Sequence, residues 1–217
     1  MRITHLGHSC LLVELADRRI LIDPGSFSSG FEDLTDLDAI LVTHQHGDHL
    51  DLKRLPALVR ANPGTALHAD PMSAALLAEA GLSVRALEQG SDCSVGEVQI
   101  RPVGAVHAFN HAWVPTVANV GVHLVAPGEP SLFHPGDAYD GEPGDVDVLA
   151  VPINAPWCAV RDSIDFVRRI APRSMVPIHD GLVAPLGRAL YLSHIAANGG
   201  TDLTLHDLVG QGAVTIA

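Results

Sequence analysis

The segment Thr43–Leu50 concentrates side chains that bind metal ions. Within six residues it contains four potential ligands, which are His44, His46, Asp48 and His49. In an extended segment residues i and i+2 point to the same side, so His44 and His46 can share one ion. A turn at Gly47 can then direct Asp48 and His49 toward a second ion. The alternative, a polar loop of surface histidines, also has to account for further candidates downstream.

Three more candidate ligands stand close after apolar runs of the chain. They are His107, Asp137 and His179. The full set is then five histidines and two aspartates, which offer nitrogen and oxygen donors without sulfur. Such donors suit Zn²⁺, Mn²⁺ or iron better than a structural zinc held by thiolates. The pattern indicates an open, catalytic metal site.

The elements that must position these ligands follow from hydrophobic patterning. Arg2–Leu6, Ser9–Leu15 and Arg18–Ile22 are predicted to be consecutive antiparallel strands. An alternation of strands and helices follows. The remaining strands are predicted at Ala39–Thr43, Thr65–His68, Ser83–Leu87, Glu97–Val103, Val117–Val125, Ser131–His134, Val146–Ile153, Ser174–Ile178, Leu203–Val209 and Ala213–Ile216, and the helices at Leu52–Arg60, Pro71–Ala80, Ser163–Ile170 and Leu186–Asn198. No linker divides the chain, so one α/β domain over residues 1–217, made of two similar halves, is expected.

Composition narrows the class of protein. The 217 residues carry 13 Lys and Arg against 25 Asp and Glu, and no basic run that would neutralise a nucleic-acid backbone. No apolar stretch reaches the ~20 residues of a membrane span. The start of the chain lacks a signal-peptide pattern and the three cysteines form no paired framework, so a cytoplasmic protein is expected. The expected partner is a small-molecule substrate, with a homo-oligomer left open.

The ligand pattern resembles the metallo-β-lactamase superfamily, in which HxHxDH is followed by a later His, a Gly-Asp and a final His. The chain looks most like small metal-dependent hydrolases related to ascorbate-phosphate lactonase and to N-acyl-phosphatidylethanolamine phospholipase D. Nearly the whole chain shares the resemblance, through the segments 3–10, 20–24, 44–49, 135–137, 151–153 and 176–179. The implied fold is a four-layer αββα sandwich of two mixed sheets with outer helices.

The resemblance also implies roles for individual residues. His44, His46 and His107 would form the first metal site, and Asp48, His49 and His179 the second, with Asp137 bridging the two. Asp48 or Asp137 would relay a proton, and His8 would lie near the metals and contact substrate or leaving group. Metallo-β-lactamases proper usually carry Cys at the position of Asp137, and flavodiiron proteins carry Glu at that of His46. Both departures favour a hydrolase outside those branches.

The implied activity is hydrolysis. Two divalent ions ~3.5–4 Å apart can share a water and lower its pKa from roughly 15.7 toward ~7, which provides a bridging hydroxide as nucleophile. No GxSxG turn offers a serine nucleophile instead. The sequence thus predicts a hydrolase with two divalent ions, zinc favoured over manganese or iron, that cleaves a lactone or carboxylic ester. The alternatives are a phosphodiesterase of the same fold, a non-catalytic metal-binding protein, and an iron-dependent redox protein.

Several other residues have two interpretations. Asp23 either hydrogen-bonds a ligand histidine or only starts a loop, because an unpaired buried carboxylate would be costly. Residues in two loops could line a pocket or simply pack, namely His111, Trp113, Asn154 and Trp157. His134 supports the site or is a plain strand histidine. The other histidines are expected to be structural or exposed, namely His5, His68, His123, His194 and His206.

Overall fold

A computed structural model describes all of residues 1–217. It contains fourteen strands and four helices. The strands are β1 (Arg2–His5), β2 (Leu11–Leu15), β3 (Arg18–Ile22), β4 (Ala39–Val42), β5 (Ala66–Ala69), β6 (Arg85–Ala86), β7 (Cys93–Val95), β8 (Val98–Val103), β9 (Gly121–Val125), β10 (Leu132–His134), β11 (Val148–Pro152), β12 (Ser174–Ile178), β13 (Thr204–Leu205) and β14 (Val214–Thr215). The helices are α1 (Leu55–Ala61), α2 (Pro71–Glu79), α3 (Val160–Ile170) and α4 (Pro185–Asn198).

The strands form two seven-stranded sheets that repeat one scheme. The first runs β14-β1-β2-β3-β4-β5-β6 and the second β13-β12-β11-β10-β9-β8-β7. In each sheet four strands pair antiparallel and the following three are parallel. The predicted antiparallel order of the first three strands is therefore confirmed. Because β14 joins the sheet of the amino-terminal half, the two halves are interlocked.

Side-chain alternation along the strands builds three apolar layers. A central layer joins the sheets, with Ile20 and Leu41 from one and Val122 and Val176 from the other. The opposite face of the first sheet packs on α1 and α2, and that of the second sheet on α3 and α4. Successive residues of a strand point to opposite faces, so each buried strand supplies two layers. The predicted four-layer αββα sandwich is confirmed.

The candidate site lies where strands end. His44 follows the carboxyl end of β4, Asp137 that of β10 and His179 that of β12. The carboxyl ends of parallel strands meet at one edge of a sheet, and ligands bind there in open α/β sheets. The edges of the two facing sheets thus bring together residues more than a hundred positions apart in sequence.

Several predicted boundaries were wrong for local reasons. The strand expected from Val117 begins only at Gly121, because the backbone amides of Asn119 and Val120 bond other segments, at the carbonyls of Ala105 and Thr43. The first helix begins at Leu55 rather than Leu52, and residues 52–54 form a turn in which the Asp51 carboxylate accepts from the amides of residues 53 and 54. The helix expected from Ser163 begins earlier, at Val160. Strand β7 was not predicted from its mixed polar sequence.

The four helices are too short or too polar to cross a bilayer, so the structure contains no candidate membrane-spanning helix.

Helix α2 offers a stability test. Its N-cap Asp70 is buried, and the carboxylate accepts from the amides of Met72 at 3.0 Å and Ser73 at 3.2 Å. We expect Asp70→Ala to lower the free energy of unfolding by about 1–2 kcal/mol, because those amides lose their acceptor. Asp70→Asn, which can still accept, should lose clearly less. Urea unfolding of both variants checks this, and equal losses would contradict the capping role.

Candidate metal centre

All seven predicted ligands meet in one place, in two groups. His44, His46, His107 and Asp137 form one group; Asp48, His49 and His179, joined by His8, form the other. Within each group the potential ligand atoms lie within 4.8 Å of one another. Most of these side chains are buried, with His46 and Asp48 half-exposed toward the pocket. The structure thus brings together every residue of the predicted set.

A tight turn after β4 shapes the HxHxDH loop. The backbone amides of His49 and Leu50 both donate to the carbonyl of His46 at 2.9 Å, which reverses the chain between the two groups. The turn leaves His44 Nε2 only 3.1 Å from His46 Nδ1. Two imidazole nitrogens facing each other at this separation are typical of ligands that share one ion. His44 and His46, two residues apart in the chain, thus point to the same side.

Asp137 lies between the two groups. Its Oδ1 is 3.1 Å from His49 Nε2, and its Oδ2 is 3.1 Å from His179 Nε2 and 3.4 Å from His107 Nε2. One carboxylate therefore faces histidines of both groups, as a bridging ligand would. Its position is fixed by its backbone amide, which donates to Asn119 Oδ1 at 2.9 Å.

Trp157 makes a contact that sequence reasoning missed. Its indole N–H donates to Asp137 Oδ2 at 2.9 Å, while its ring packs edge-on against Tyr139. The sequence suggested only a pocket wall or a packing role, and nothing in the local pattern pairs residues 137 and 157. The indole holds one oxygen of the central carboxylate in place and leaves the other, Oδ1, without a hydrogen bond.

Four buried polar atoms at the centre have no hydrogen-bond partner. They are His49 Nε2, His107 Nε2, His179 Nε2 and Asp137 Oδ1. Buried polar side-chain atoms are normally paired, and each unpaired one costs about 1–3 kcal/mol. Nitrogen lone pairs and a carboxylate oxygen that converge in this way are the donor set of a metal ion. The residues present therefore fit a metal centre.

Asp23 supports the ligands from behind. Its Oδ1 accepts from the backbone amide of Thr43 at 2.8 Å, and its Oδ2 accepts from the Thr43 hydroxyl and from His49 Nδ1, each at 2.7 Å. Of its two interpretations, the hydrogen bond to a candidate ligand histidine is therefore the one found. Thr43, which the sequence did not single out, links Asp23 to a second candidate ligand, because its Oγ1 lies 3.1 Å from His44 Nδ1.

The charges at the centre favour ionised carboxylates and neutral forms of His44 and His46. His49 differs, because the neighbouring Asp137 and Asp23 outweigh its burial and raise its pKa well above the usual value. Burial would raise the pKa of Asp48, but the hydrogen bond from His8 and the nearby His49 lower it to about 2. Burial also holds the pKa of His44 well below its usual value and lowers that of His46. Ligands must be deprotonated to bind a metal ion, so Asp48, His44 and His46 are in the required state near neutral pH, whereas His49 would release a proton on binding.

A pocket of about 410 Å³ opens onto the two groups. Its lining comprises Ser26, Phe27, His46, Gly47, Asp48, His107, Asn110, Asp137, Pro156, Trp157, His179 and Leu182. Of the four predicted wall residues only Trp157 lines it. The Asn154 backbone carbonyl instead accepts from His179 Nδ1 at 2.7 Å. His111 and Trp113 pack against each other, and Trp113 is 91% exposed.

Of the remaining histidines, some are buried and hydrogen-bonded and others are exposed to solvent. His134 is buried, bonds the carbonyl of Ser9 through Nε2 at 2.9 Å, and lies 4.0 Å from the Asp23 carboxylate behind the ligands. His5 bonds the carbonyl of His8 at 3.1 Å. His194 is exposed on α4, and His68 and His123 are buried away from the centre. These positions agree with the structural or surface roles expected of them.

Two facing mixed sheets with outer helices, and a His/Asp centre at their shared edge, define a protein of metallo-β-lactamase fold. A model of the beta-lactamase superfamily domain matches residues 2–179, and the chain belongs to this superfamily. The expected resemblance is thereby confirmed.

Known relatives span most or all of the chain. Protein Rv0786c of Mycobacterium tuberculosis is 43% identical over 217 residues, which are 99% of this chain and 100% of that protein. A UPF0173 metal-dependent hydrolase of Pyrococcus furiosus is 30% identical over 208 residues, 86% of this chain and 87% of that protein. The chain thus falls within a family of metal-dependent hydrolases.

Solved structures share the fold at lower sequence identity. Igni18, a metallo hydrolase of Ignicoccus hospitalis, superposes with a TM-score of 0.73 at 18% identity and covers 100% of this chain and 99% of its own. The metallo-beta-lactamase fold protein YhfI of Bacillus subtilis gives a TM-score of 0.74 at 13% identity, with 95% of each chain covered.

The close approach of two loops at the centre offers a test. A Cβ atom added at Gly25 would overlap the backbone carbonyl of Asp48. We expect Gly25→Ala to cost about 3 kcal/mol of stability or more, because the HxHxDH loop must move to admit the methyl group. Gly200→Ala is the matched control, since its Cβ would meet only Leu203 at 3.9 Å. Urea unfolding that found the two variants equally stable would contradict this packing.

Proposed function

We propose that this protein is a two-ion hydrolase that cleaves an ester-like bond, that of a lactone or carboxylic ester, in a small molecule. The observation that carries the proposal is the set of four unpaired buried donor atoms around Asp137. A cation between these atoms would give each of them a partner. Their convergence from four separate loops of two sheets is therefore best explained by bound metal ions.

Each ion would have its own ligands. His44, His46 and His107 would hold the first ion and Asp48, His49 and His179 the second, with Asp137 shared between them. The orientation of four rings supports these ligand roles, because His44, His49, His107 and His179 each place Nδ1 against an oxygen and so turn Nε2 toward the centre. A donor set of imidazole and carboxylate favours zinc, and manganese or iron would also fit it.

The ions, when bound, would lower the pKa of a water and withdraw charge from the carbonyl oxygen of the substrate. The water oxygen attacks the carbonyl carbon, and the bond from that carbon to the alcohol oxygen breaks. The proton of the water passes to a carboxylate and then to the departing alcohol. Asp48, with a side chain 21% exposed, faces the pocket, whereas Asp137 is 4% exposed and bonded to Trp157. Asp48 is therefore the better-placed proton acceptor.

The pocket walls favour a substrate with an apolar body. No Lys or Arg stands among the lining residues, so the bound ions would be the main counter-charge to an anionic substrate. Phe27, Pro156, Trp157 and Leu182 supply apolar walls. Its volume lies within the range of ~300–1,000 Å³ that small-molecule sites occupy. These features suit an ester or lactone with an apolar body.

Metal content and turnover test the proposal directly. Protein purified without chelator should contain about two equivalents of zinc or manganese by elemental mass spectrometry. The loaded protein should then hydrolyse lactones or aryl carboxylic esters faster than a chromogenic phosphodiester. The opposite preference would support the phosphodiesterase. Two bound ions without turnover of any of these substrates would support a non-catalytic metal-binding protein.

Asp137 offers the sharpest variant. We expect Asp137→Ala to lose metal and activity together, because the carboxylate faces both ligand groups. His194→Ala is the control, since that histidine is exposed on α4 and should change neither quantity. Metal content is measured on both variants after reloading. A normal complement of two ions in Asp137→Ala would rule out the bridging role.

A further inference from the structure

The histidines around the centre differ in which ring nitrogen carries hydrogen. Four of them place Nδ1 against an oxygen: His44 on Thr43 Oγ1 at 3.1 Å, His49 on Asp23 Oδ2, His107 on the Ala108 carbonyl and His179 on the Asn154 carbonyl, the last three at 2.7 Å. The Thr43 hydroxyl gives its own hydrogen to Asp23, so its oxygen accepts as the others do. In each ring Nδ1 is the donor, so the neutral ring keeps a lone pair on Nε2 for a metal ion.

His8 has the opposite arrangement. The backbone amide of Gly181 points at His8 Nδ1 from 3.2 Å. An amide N–H can only donate, so Nδ1 is the acceptor and a neutral ring carries its hydrogen on Nε2. That nitrogen lies 3.1 Å from Asp48 Oδ2, to which it donates. A nitrogen that carries hydrogen has no lone pair to offer a metal ion, although His8 stands among the second group of potential ligands.

We propose that His8 is a positioning residue that holds Asp48 for the second metal ion and is not itself a ligand. This inference rests on the two-ion centre of the proposed function. Asp48 Oδ2 lies 3.6 Å from His179 Nε2 and 3.9 Å from His49 Nε2, so the oxygen bonded by His8 is the one that faces the free nitrogens. A carboxylate oxygen has two lone pairs and can serve a donor and an ion together.

The position of His8 is itself tightly determined. Its backbone φ of 52° is rare for a residue with a side chain, and its ring is 1% exposed. Its carbonyl accepts from the amide of His179 at 2.9 Å and from His5 Nε2 at 3.1 Å. Its ring packs on that of His179 with centroids 4.1 Å apart. Movement of His8 would therefore disturb Asp48 and His179 of the second group.

Two substitutions distinguish the effect of the His8 N–H donor from the effect of the ring's shape. His8→Gln keeps an N–H near the position of Nε2, whereas His8→Phe keeps the ring shape and removes the donor. Both should still bind two ions at saturating zinc. In His8→Phe the affinity of the weaker-bound ion should fall about 10–100-fold, as when other supporting partners of metal ligands are lost. His8→Gln should retain most of that affinity, and His194→Phe, exposed on α4, should match the wild type.

Competitive chelator titration measures these affinities, and three outcomes would overturn the proposal. Loss of one ion from His8→Phe even at saturation would make His8 a ligand. Unchanged affinity in His8→Phe would mean that it positions nothing. Equal losses in both variants would show that the N–H is not what matters. Fewer than two ions in the wild-type protein would instead overturn the two-ion centre.

The hydrogen position can be read in the wild-type protein without any substitution. Two-bond proton–nitrogen NMR of the ¹⁵N-labelled, zinc-loaded chain should show His8 protonated on Nε2 and bare on Nδ1. The four ligand histidines considered above should show the reverse pattern. A His8 protonated on Nδ1 would overturn the proposal even if both variants failed to fold.

Discussion

The carboxylate of Asp23 is fully buried and accepts three hydrogen bonds, two from Thr43 and one from His49. A buried charge is tolerated only when it is paired and hydrogen-bonded. Here the pairing ties the end of β3 to the end of β4, two parallel neighbours in the first sheet. The direction of His44 and His49 follows from it, because each ring is bonded on Nδ1 and so turns Nε2 toward Asp137. The orientation of two candidate ligands therefore depends on Asp23, which is not itself a candidate ligand.

Three residues with a strained backbone lie where these side chains converge. His8, Asp23 and His179 all have positive φ values, between 50° and 58°, in a region that residues other than glycine rarely adopt. Such conformations cost about 1–3 kcal/mol each and persist only where surrounding contacts fix them. The contacts are present, since the His179 amide bonds the His8 carbonyl and the Asp23 amide bonds the Leu41 carbonyl at 2.9 Å. The two sheets behind them, joined by one apolar layer, form the rigid support that holds these turns.

Local sequence was sufficient for the features that arise within a few residues. The ligands His44 to His49 could be predicted because the apolar strand, the alternation and the glycine turn are adjacent in the chain. Asp23 was recognisable because its carboxylate stands next to Ile20–Ile22, which had to be buried. The roles of Trp157 and Asn119 could not be found in this way, because each depends on a contact with Asp137 from a distant loop. Asn154 was noticed for its side chain, although its backbone carbonyl is what touches His179.

Histidine is abundant in this chain because imidazole performs two different tasks at the same edge of the sandwich. A ring whose Nδ1 meets a carbonyl or carboxylate becomes a potential ligand, and a ring whose Nδ1 meets an amide becomes a donor. His5, His8 and His134 all accept an amide hydrogen on Nδ1, from Gly7, Gly181 and Gly136, and all bond an oxygen through Nε2. The residue type alone does not distinguish the tasks, since both kinds are buried histidines near strand ends. The atom opposite Nδ1, an oxygen for the ligands and a backbone amide for the donors, decides between them, and only the folded chain determines which atom that is.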